Sequence, residues 1–330
     1  AVLELFRTNQ LAISILLLFY VFLVRFPVFI VPDTYVVVGA GIWSVAIYDM
    51  VGGSNGWIPD LIAVVLLFFQ AVYLNQIIYK HRLARTPSLF PGVFYVITAS
   101  LVPEFNHLSP LLLANTFYII ALGELMEIYK RKTCADRIFN IGFWLGIASL
   151  FYFSYLVFLL LGVVGIFVMR AMQFSELLTL ISGSVVAYFL AGAYYFWDDR
   201  LDEFLQVQLV DSIAFLDVQI AAHWESYVTI GIVALLILII FTTYSSHTIR
   251  RNIQTQKRIS VISWGIAIAV LSFLLQHHIQ IDHLLIFAVP IGVFLSFSFI
   301  NMPARWAETL HLLLLVAIIV WQFKSFYLMS

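Results

Sequence analysis

The 330-residue chain has very little charge and only one cysteine. Asp, Glu, Lys and Arg make up 11% of its residues, whereas hydrophobic residues make up 63%. Soluble domains carry about 25% charged residues, so this composition excludes an ordinary water-soluble protein. Cys134 has no second cysteine with which to form an internal disulfide. The sequence also has no glycine-rich phosphate loop, no zinc motif and no basic stripe that would predict a nucleic-acid partner.

Long apolar runs recur from residue 11 to residue 323. A transmembrane helix needs about 20 mostly apolar residues, and these runs predict an all-α fold, a polytopic transmembrane helical bundle of about eleven spans. The run 139–171 is too long for one crossing, and Tyr152-Phe153-Ser154-Tyr155 is the expected turn between two short helices. The predicted spans are 11–31, 58–78, 90–106, 109–128, two within 139–171, 175–196, 226–245, 260–276, 284–301 and 306–323.

Positive and negative charges are sorted between alternate loops. Most of the 17 Lys and Arg residues fall in one set of loops, and acidic residues dominate the other set. Short loops rich in Lys and Arg resist translocation. The sorting therefore predicts a cytoplasmic N-terminus and an external C-terminus.

The chain is predicted to have two parts. Residues 1–200 form a transmembrane module whose first external loop, 32–57, holds an apolar stretch that is expected to lie in the membrane interface. Residues 201–330 follow with four C-terminal spans. They begin within an external stretch, 198–224, which mixes apolar residues with Asp and Gln as interfacial helices do.

Two external loops carry candidate catalytic acids. Asp33 follows the first span directly, where its carboxylate could act as a general base or hold a divalent cation beside a phosphate. Glu104 lies in the second external loop, next to His107. Paired carboxylates at one opening are a common way to divide acid and base roles or to bind a metal. Solvated acids that end a helix or form a polar hairpin are the alternative.

A group of histidines precedes the tenth predicted span. His277, His278, Asp282 and His283 fall within seven residues, and imidazole and carboxylate groups are ligands of zinc and other divalent ions. We predict His278, Asp282 and His283 as the metal ligands. Sensing of external pH and ordinary interfacial placement are the alternatives.

Taken in order, these features resemble the GT-C class of membrane glycosyltransferases, which take sugars from polyprenyl-phosphate donors. The resemblance covers about residues 1–200. It rests on Asp33-Thr34-Tyr35, on Glu104, on the glycine-containing stretch 142–150, and on Arg170 with the aromatic end of the next span, 194–197. It implies catalytic roles for Asp33 and Glu104. The family often has a second acid directly after the first, and this chain has Thr34 there.

The resemblance predicts a protein that handles a polyprenyl-linked sugar or a related lipid at the periplasmic face, with glycosyl transfer as the candidate reaction. Arg25, Tyr35 and His107 are the predicted substrate-binding residues, with Arg25 meeting a phosphate. The opening residues 5–9 are also similar to an uncharacterised family of bacterial inner-membrane proteins, which implies that membrane. Two alternatives stay open, a non-catalytic scaffold subunit of an envelope complex that binds membrane-protein partners, and a lipid or solute transporter.

Overall fold

The computed structural model describes residues 2–7, 11–31, 35–131, 133–212, 224–249, 251–273 and 280–324. Three residues of the candidate sites, Asp33, His277 and His278, lie outside these ranges. Helices are the only regular secondary structure in the described ranges, as the sequence predicts.

Fourteen α-helices are described. In the first half these are α1 (Val2–Leu5), α2 (Leu11–Arg25), α3 (Ile42–Val51), α4 (Trp57–Lys80), α5 (Phe90–Thr98), α6 (Pro110–Glu127) and α7 (Ala135–Phe151). The second half has α8 (Leu159–Met169), α9 (Phe174–Trp197), α10 (Leu201–Leu205), α11 (Trp224–Thr248), α12 (Ile253–Ser272), α13 (Ala288–Asn301) and α14 (Ala304–Gln322). Short 3₁₀ turns occupy Phe26–Phe29, Pro103–Asn106, Phe153–Phe158 and Ile281–Phe287, and a π-helical turn occupies Gln206–Val210.

The protein is a multi-pass membrane protein. Among the described residues, six helices have the length and hydropathy to cross a bilayer: Trp57–Lys80, Pro110–Glu127, Phe174–Trp197, Ser226–Thr248, Ile281–Asn301 and Ala304–Gln322. Shorter apolar helices occupy Ile13–Phe29, Ile42–Val51 and Phe153–Met169. Each predicted span contains a helix, but eleven crossings and the orientation of the N-terminus remain predictions.

The predicted turn is described, and so are parts of the two segments that are predicted to lie in the membrane interface. The helix α7 ends at Phe151, and a 3₁₀ turn begins at Phe153. The chain therefore turns at Tyr152-Phe153-Ser154-Tyr155, as the sequence predicts. The ten residues of α3 rise only about 15 Å, about half of the hydrocarbon core. The external stretch 198–224 is also predicted to be interfacial. Its described part contains α10 and the π-helical turn, whereas residues 213–223 lie outside the described ranges.

Helices α5 and α13 form the centre of the bundle. All nine residues of α5 are buried, and a Cβ built on Gly292 of α13 would lie 2.7 Å from the Tyr95 Cα atom in α5. A second close pair is α7 with α9, where a Cβ on Gly142 would lie 1.8 Å from the Leu180 carbonyl oxygen. Small residues permit such close approach of membrane helices. Gly292 and Gly142 therefore allow the close packing of α5 on α13 and of α7 on α9, and these helix pairs position the loops at both ends of the bundle.

The two ends of the bundle differ in charge. Consecutive long helices run in opposite directions, so alternate loops meet at the same end. We call one end the basic end and the other the acidic end. The basic end contains Lys80, Arg82, Arg85, Arg131, Arg170, Arg251 and Arg305, and the acidic end contains Asp49, Asp60, Glu104, Asp198 and Asp282.

Candidate functional site

Five polar side chains from distant parts of the sequence meet at the acidic end, and we call this group the acidic-end site. Its members are Tyr35 before α3, Asp60 in the first turn of α4, Glu104 and His107 around the turn before α6, and Asp282 before α13. Tyr35, Glu104, His107 and Asp282 were candidates from sequence. The structure thus brings together residues that belonged to three separate motifs.

A carboxylate–imidazole pair lies at the centre of the acidic-end site. Asp60 Oδ1 lies 3.2 Å from His107 Nδ1, and each residue is only 5% exposed. An ionised carboxylate can only accept hydrogen bonds, so Nδ1 carries the proton in this pair. In neutral His107 the other nitrogen, Nε2, is then the hydrogen-bond acceptor. The pair can therefore hold a ligand hydroxyl at Nε2 while Asp60 fixes the orientation of the imidazole ring.

Tyr35 joins the first external loop to this pair. Its ring stacks on the His107 ring with 5.2 Å between centroids and 13° between planes. Asn55 holds the Tyr35 backbone on both sides, because Asn55 Oδ1 accepts from the Tyr35 amide at 2.7 Å and its Nδ2 donates to the Tyr35 carbonyl at 3.0 Å.

The Tyr35 hydroxyl faces the Asp282 carboxylate, and the two groups interact electrostatically. Burial raises the pKa of Tyr35 well above its ordinary value, and the negative charge of Asp282 adds to that effect. The phenol therefore keeps its proton at neutral pH and remains a hydrogen-bond donor.

Glu104 is the most accessible carboxylate of the group. Its Oε1 atom lies 3.1 Å from the Lys324 ammonium, and its side chain is 29% exposed. Its second oxygen is buried without a hydrogen-bond partner among the described residues. Glu104 also interacts electrostatically with Asp282. The acidic-end site thus has one carboxylate beside a cation and a second one facing a tyrosine hydroxyl.

Arg25 has a different environment from the one expected for a phosphate ligand. Its side chain is fully buried, and it donates to the carbonyl oxygens of Ala99 at 2.9 Å, Phe105 at 2.8 Å and Asn106 at 3.1 Å. A further bond runs to the Ser100 hydroxyl at 3.2 Å. Because these bonds occupy the guanidinium, we revise the predicted role: Arg25 holds the loop that carries Glu104 and His107.

The predicted metal ligands separate in the structure. His283 is fully buried, and its Nδ1 lies 3.1 Å from the Tyr152 hydroxyl while its Nε2 lies 2.9 Å from the Ser272 hydroxyl. Both nitrogens are occupied, so His283 is not placed to bind a metal together with Asp282, which faces Tyr35. His278 lies outside the described residues. Within the described ranges, groups of three or more His, Cys, Asp or Glu side chains arranged to hold a metal are absent.

A narrow crevice of about 10 Å³ reaches His107 in the described part of the chain. It lies between the end of the first span and the loop before α6, and Val31 and His107 are among its lining residues. Asp33 itself lies outside the description, but Val31 and Tyr35, the nearest described residues on each side of it, both contact this region. The shared position of Asp33 and Glu104 remains a prediction.

Two members of this region were missed from sequence. From sequence, Asp60 is one of the acidic residues of the external loops and has no predicted role, although an acid near the start of a long apolar helix is a signal of a partnered side chain. Lys324 follows the last span and was assigned no role, although it is a rare cation among the residues expected at that face. Their partners are 47 and 220 positions away, so periodicity and spacing cannot identify them.

Comparison with known proteins shows the fold. Family models and curated proteins gave no match to this sequence. Among solved structures, ArnT from Cupriavidus metallidurans bound to undecaprenyl phosphate superimposes with a TM-score of 0.53 at 12% identity, over 90% of this chain and 60% of that chain. The Archaeoglobus fulgidus oligosaccharyltransferase in the apo form gives a TM-score of 0.44 at 12% identity, over 93% and 51%.

This chain therefore spans about 60% of the ArnT chain. The similarity to ArnT confirms the GT-C-like fold that the sequence resemblance predicts.

Proposed function

We propose that the protein binds a polyprenyl-phosphate-linked sugar or a related lipid at its acidic end, and that this end faces the periplasm of a bacterial inner membrane. Glycosyl transfer is the reaction we infer. The observation that supports the proposal most strongly is the stack of Tyr35 on His107. It joins the segment around Asp33 to the loop that carries Glu104, within a fold similar to that of ArnT, whose structure contains undecaprenyl phosphate.

In this proposal the acceptor hydroxyl loses its proton to Asp33, and its oxygen forms a bond to the anomeric carbon of the sugar. The bond between that carbon and the phosphate oxygen breaks, and the polyprenyl phosphate leaves. The Lys324 ammonium beside Glu104 supplies positive charge for the departing phosphate, the role that the sequence assigned to Arg25. Asp60 and His107 position the loop and supply a second proton acceptor.

The test is sugar transfer by the purified full-length chain in lipid vesicles, with radiolabelled polyprenyl-phosphate-linked sugars as donors. Asp33→Asn should reduce transfer at least about 100-fold, because general acid–base groups contribute about 10²–10⁴-fold. Asp49→Asn is the matched control, since Asp49 is an exposed acid at the same end of the bundle. Equal transfer by wild type and Asp33→Asn would remove Asp33 from its proposed role.

A second candidate function is a non-catalytic membrane scaffold. It is favoured by one observation, the burial of the acidic-end site: Asp60, His107 and Asp282 are each 8% exposed or less. A scaffold would use these bonds to hold its external surface in shape. It predicts stoichiometric protein partners after mild extraction from native membranes, with no sugar transfer by the purified chain.

A further inference from the structure

A large cavity lies at the opposite end from the proposed lipid site. It has a volume of about 670 Å³, within the usual range for small-ligand pockets, and lies between the loop after α4 and the start of α12. Five cationic side chains line it, namely Lys80, Arg82, Arg85, Arg251 and Arg258. We call it the basic pocket.

The negative charge within the basic pocket does not balance its cations. Glu127 is the carboxylate among the described lining residues. It is already bonded to Lys80, and to Arg131 at 2.9 Å. His81 also lines the pocket, and its pKa is lowered to about 4 by burial and by the positive charge of Arg258. His81 is therefore neutral at pH 7, and the pocket keeps a net positive charge.

Arg251 shows the imbalance at a single side chain. Its Nη2 atom donates to the Leu83 carbonyl at 3.2 Å, but its Nε atom is buried and has no hydrogen-bond partner in the described ranges. Burial lowers the pKa of Arg251, and the positive charge of Arg85 lowers it further. A buried donor without a hydrogen-bond partner destabilises the fold. An anion between Arg85 and Arg251 would satisfy the donor and offset the repulsion.

Loop cations at this end of the bundle are expected from the rule that positive loops stay in the cytoplasm. That rule requires a number of positive charges, and it does not require them to converge around a cavity. Here cations from two loops that are about 170 positions apart in sequence line the same space. The rule for cytoplasmic loops therefore does not explain why these cations line one cavity, whereas a bound anion would explain it.

The chemistry of the basic pocket selects a phosphate group. Arginine presents planar pairs of N–H groups that match phosphate oxygens. Ile249 and Ile253, on either side of Arg251, are 57% and 68% exposed. An apolar chain can lie against them while its head group occupies the pocket. We propose that the basic pocket is a phosphate-binding site, with Arg85 and Arg251 as its principal ligands, for the head group of an anionic lipid or for a soluble phosphate compound.

The experiment has two arms, both with the full-length chain in detergent. In the first, native mass spectrometry counts bound phosphatidic acid and, separately, bound phosphatidylcholine. In the second, isothermal titration calorimetry measures binding of inorganic pyrophosphate. Arg85→Gln and Arg251→Gln are compared with Lys130→Gln, which removes an exposed cation that does not line the basic pocket.

We expect Arg85→Gln and Arg251→Gln each to weaken binding about fivefold, which corresponds to about 1 kcal/mol, because each variant removes one of the cations that line the basic pocket. Lys130→Gln should have little effect. Loss in the lipid arm identifies a lipid head group, and loss in the pyrophosphate arm identifies a soluble phosphate compound.

Failure of wild type to bind in both arms would overturn the proposal, as would equal losses in Lys130→Gln and the pocket variants. Arg251→Gln also loses its bond to Leu83, so its melting temperature is measured beside that of wild type. Among the described residues, the hydrogen bond of Arg85 is a 3.5 Å contact to the Ser246 carbonyl. Arg85→Gln is therefore the second variant if Arg251→Gln does not fold. Sugar transfer at the acidic end is not required for either result.

Discussion

The Asp60 carboxylate lies 3.2 Å from Nδ1 of His107, and this pair joins the start of α4 to the loop before α6. Both residues are buried, so we expect strong energetic coupling between them. In a double-mutant cycle of Asp60→Ala and His107→Ala, the coupling free energy of unfolding should lie between about 0.5 and 3 kcal/mol. Unfolding in increasing SDS, followed by tryptophan fluorescence, measures it. Additive effects of the two substitutions would mean that the pair does not stabilise the fold.

The position of the 99–106 loop depends on Arg25. Arg25→Met should lower the free energy of unfolding by about 3 kcal/mol or more, because each hydrogen bond to a charged group contributes about 1.5–3 kcal/mol. The same SDS titration measures this loss. Arg200→Met is the matched control, since Arg200 is an exposed arginine at the acidic end, and it should leave the midpoint unchanged. Equal midpoints for wild type and Arg25→Met would contradict the structural role.

Close packing of α7 on α9 depends on Gly142. Its Cβ would lie 1.8 Å from the Leu180 carbonyl oxygen, so Gly142→Ala must push the helices apart. Overpacking costs about 1–3 kcal/mol, and we expect at least that loss in detergent unfolding. Gly231→Ala is the control, because a Cβ at Gly231 has no neighbour within 4 Å. If both variants unfold at the same midpoint, the α7–α9 packing is not as close as described.

The orientation of the chain can be tested with single cysteines. In a Cys134→Ser background, Asp49→Cys and Asp202→Cys at the acidic end should react with a membrane-impermeant maleimide added to intact spheroplasts. Arg305→Cys at the basic end should react only after permeabilisation. All three positions are exposed, so accessibility of the side chain does not limit labelling. The reverse pattern would place the acidic end in the cytoplasm and rule out a periplasmic site.

The helices could be predicted because the membrane imposes their length and hydropathy. Each predicted span contains a helix, and the turn at Tyr152 follows from a run too long for one crossing. Weak motifs in the first 200 residues predict the GT-C-like fold, and the comparison with ArnT confirms this prediction.

The contacts of individual polar residues could not be predicted in the same way. Arg25, near the end of an apolar span, is expected at the lipid or at a phosphate, whereas it binds carbonyl groups about 75–80 positions away. Asp282 and His283 are neighbours in sequence but face different partners, Tyr35 and Tyr152. The partner of each polar side chain depends on tertiary packing. The apolar pattern of the sequence does not predict these partners.

We propose that a lipid phosphate binds near Asp33, Glu104 and Lys324 at the acidic end. The most direct measurement is photo-crosslinking of the purified chain with a diazirine analogue of undecaprenyl phosphate labelled next to its phosphate, followed by peptide mapping. We predict cross-links in the segments 27–35 and 103–107, and competition by unlabelled undecaprenyl phosphate. Cross-links confined to other segments, or cross-links that unlabelled lipid does not reduce, would contradict the account.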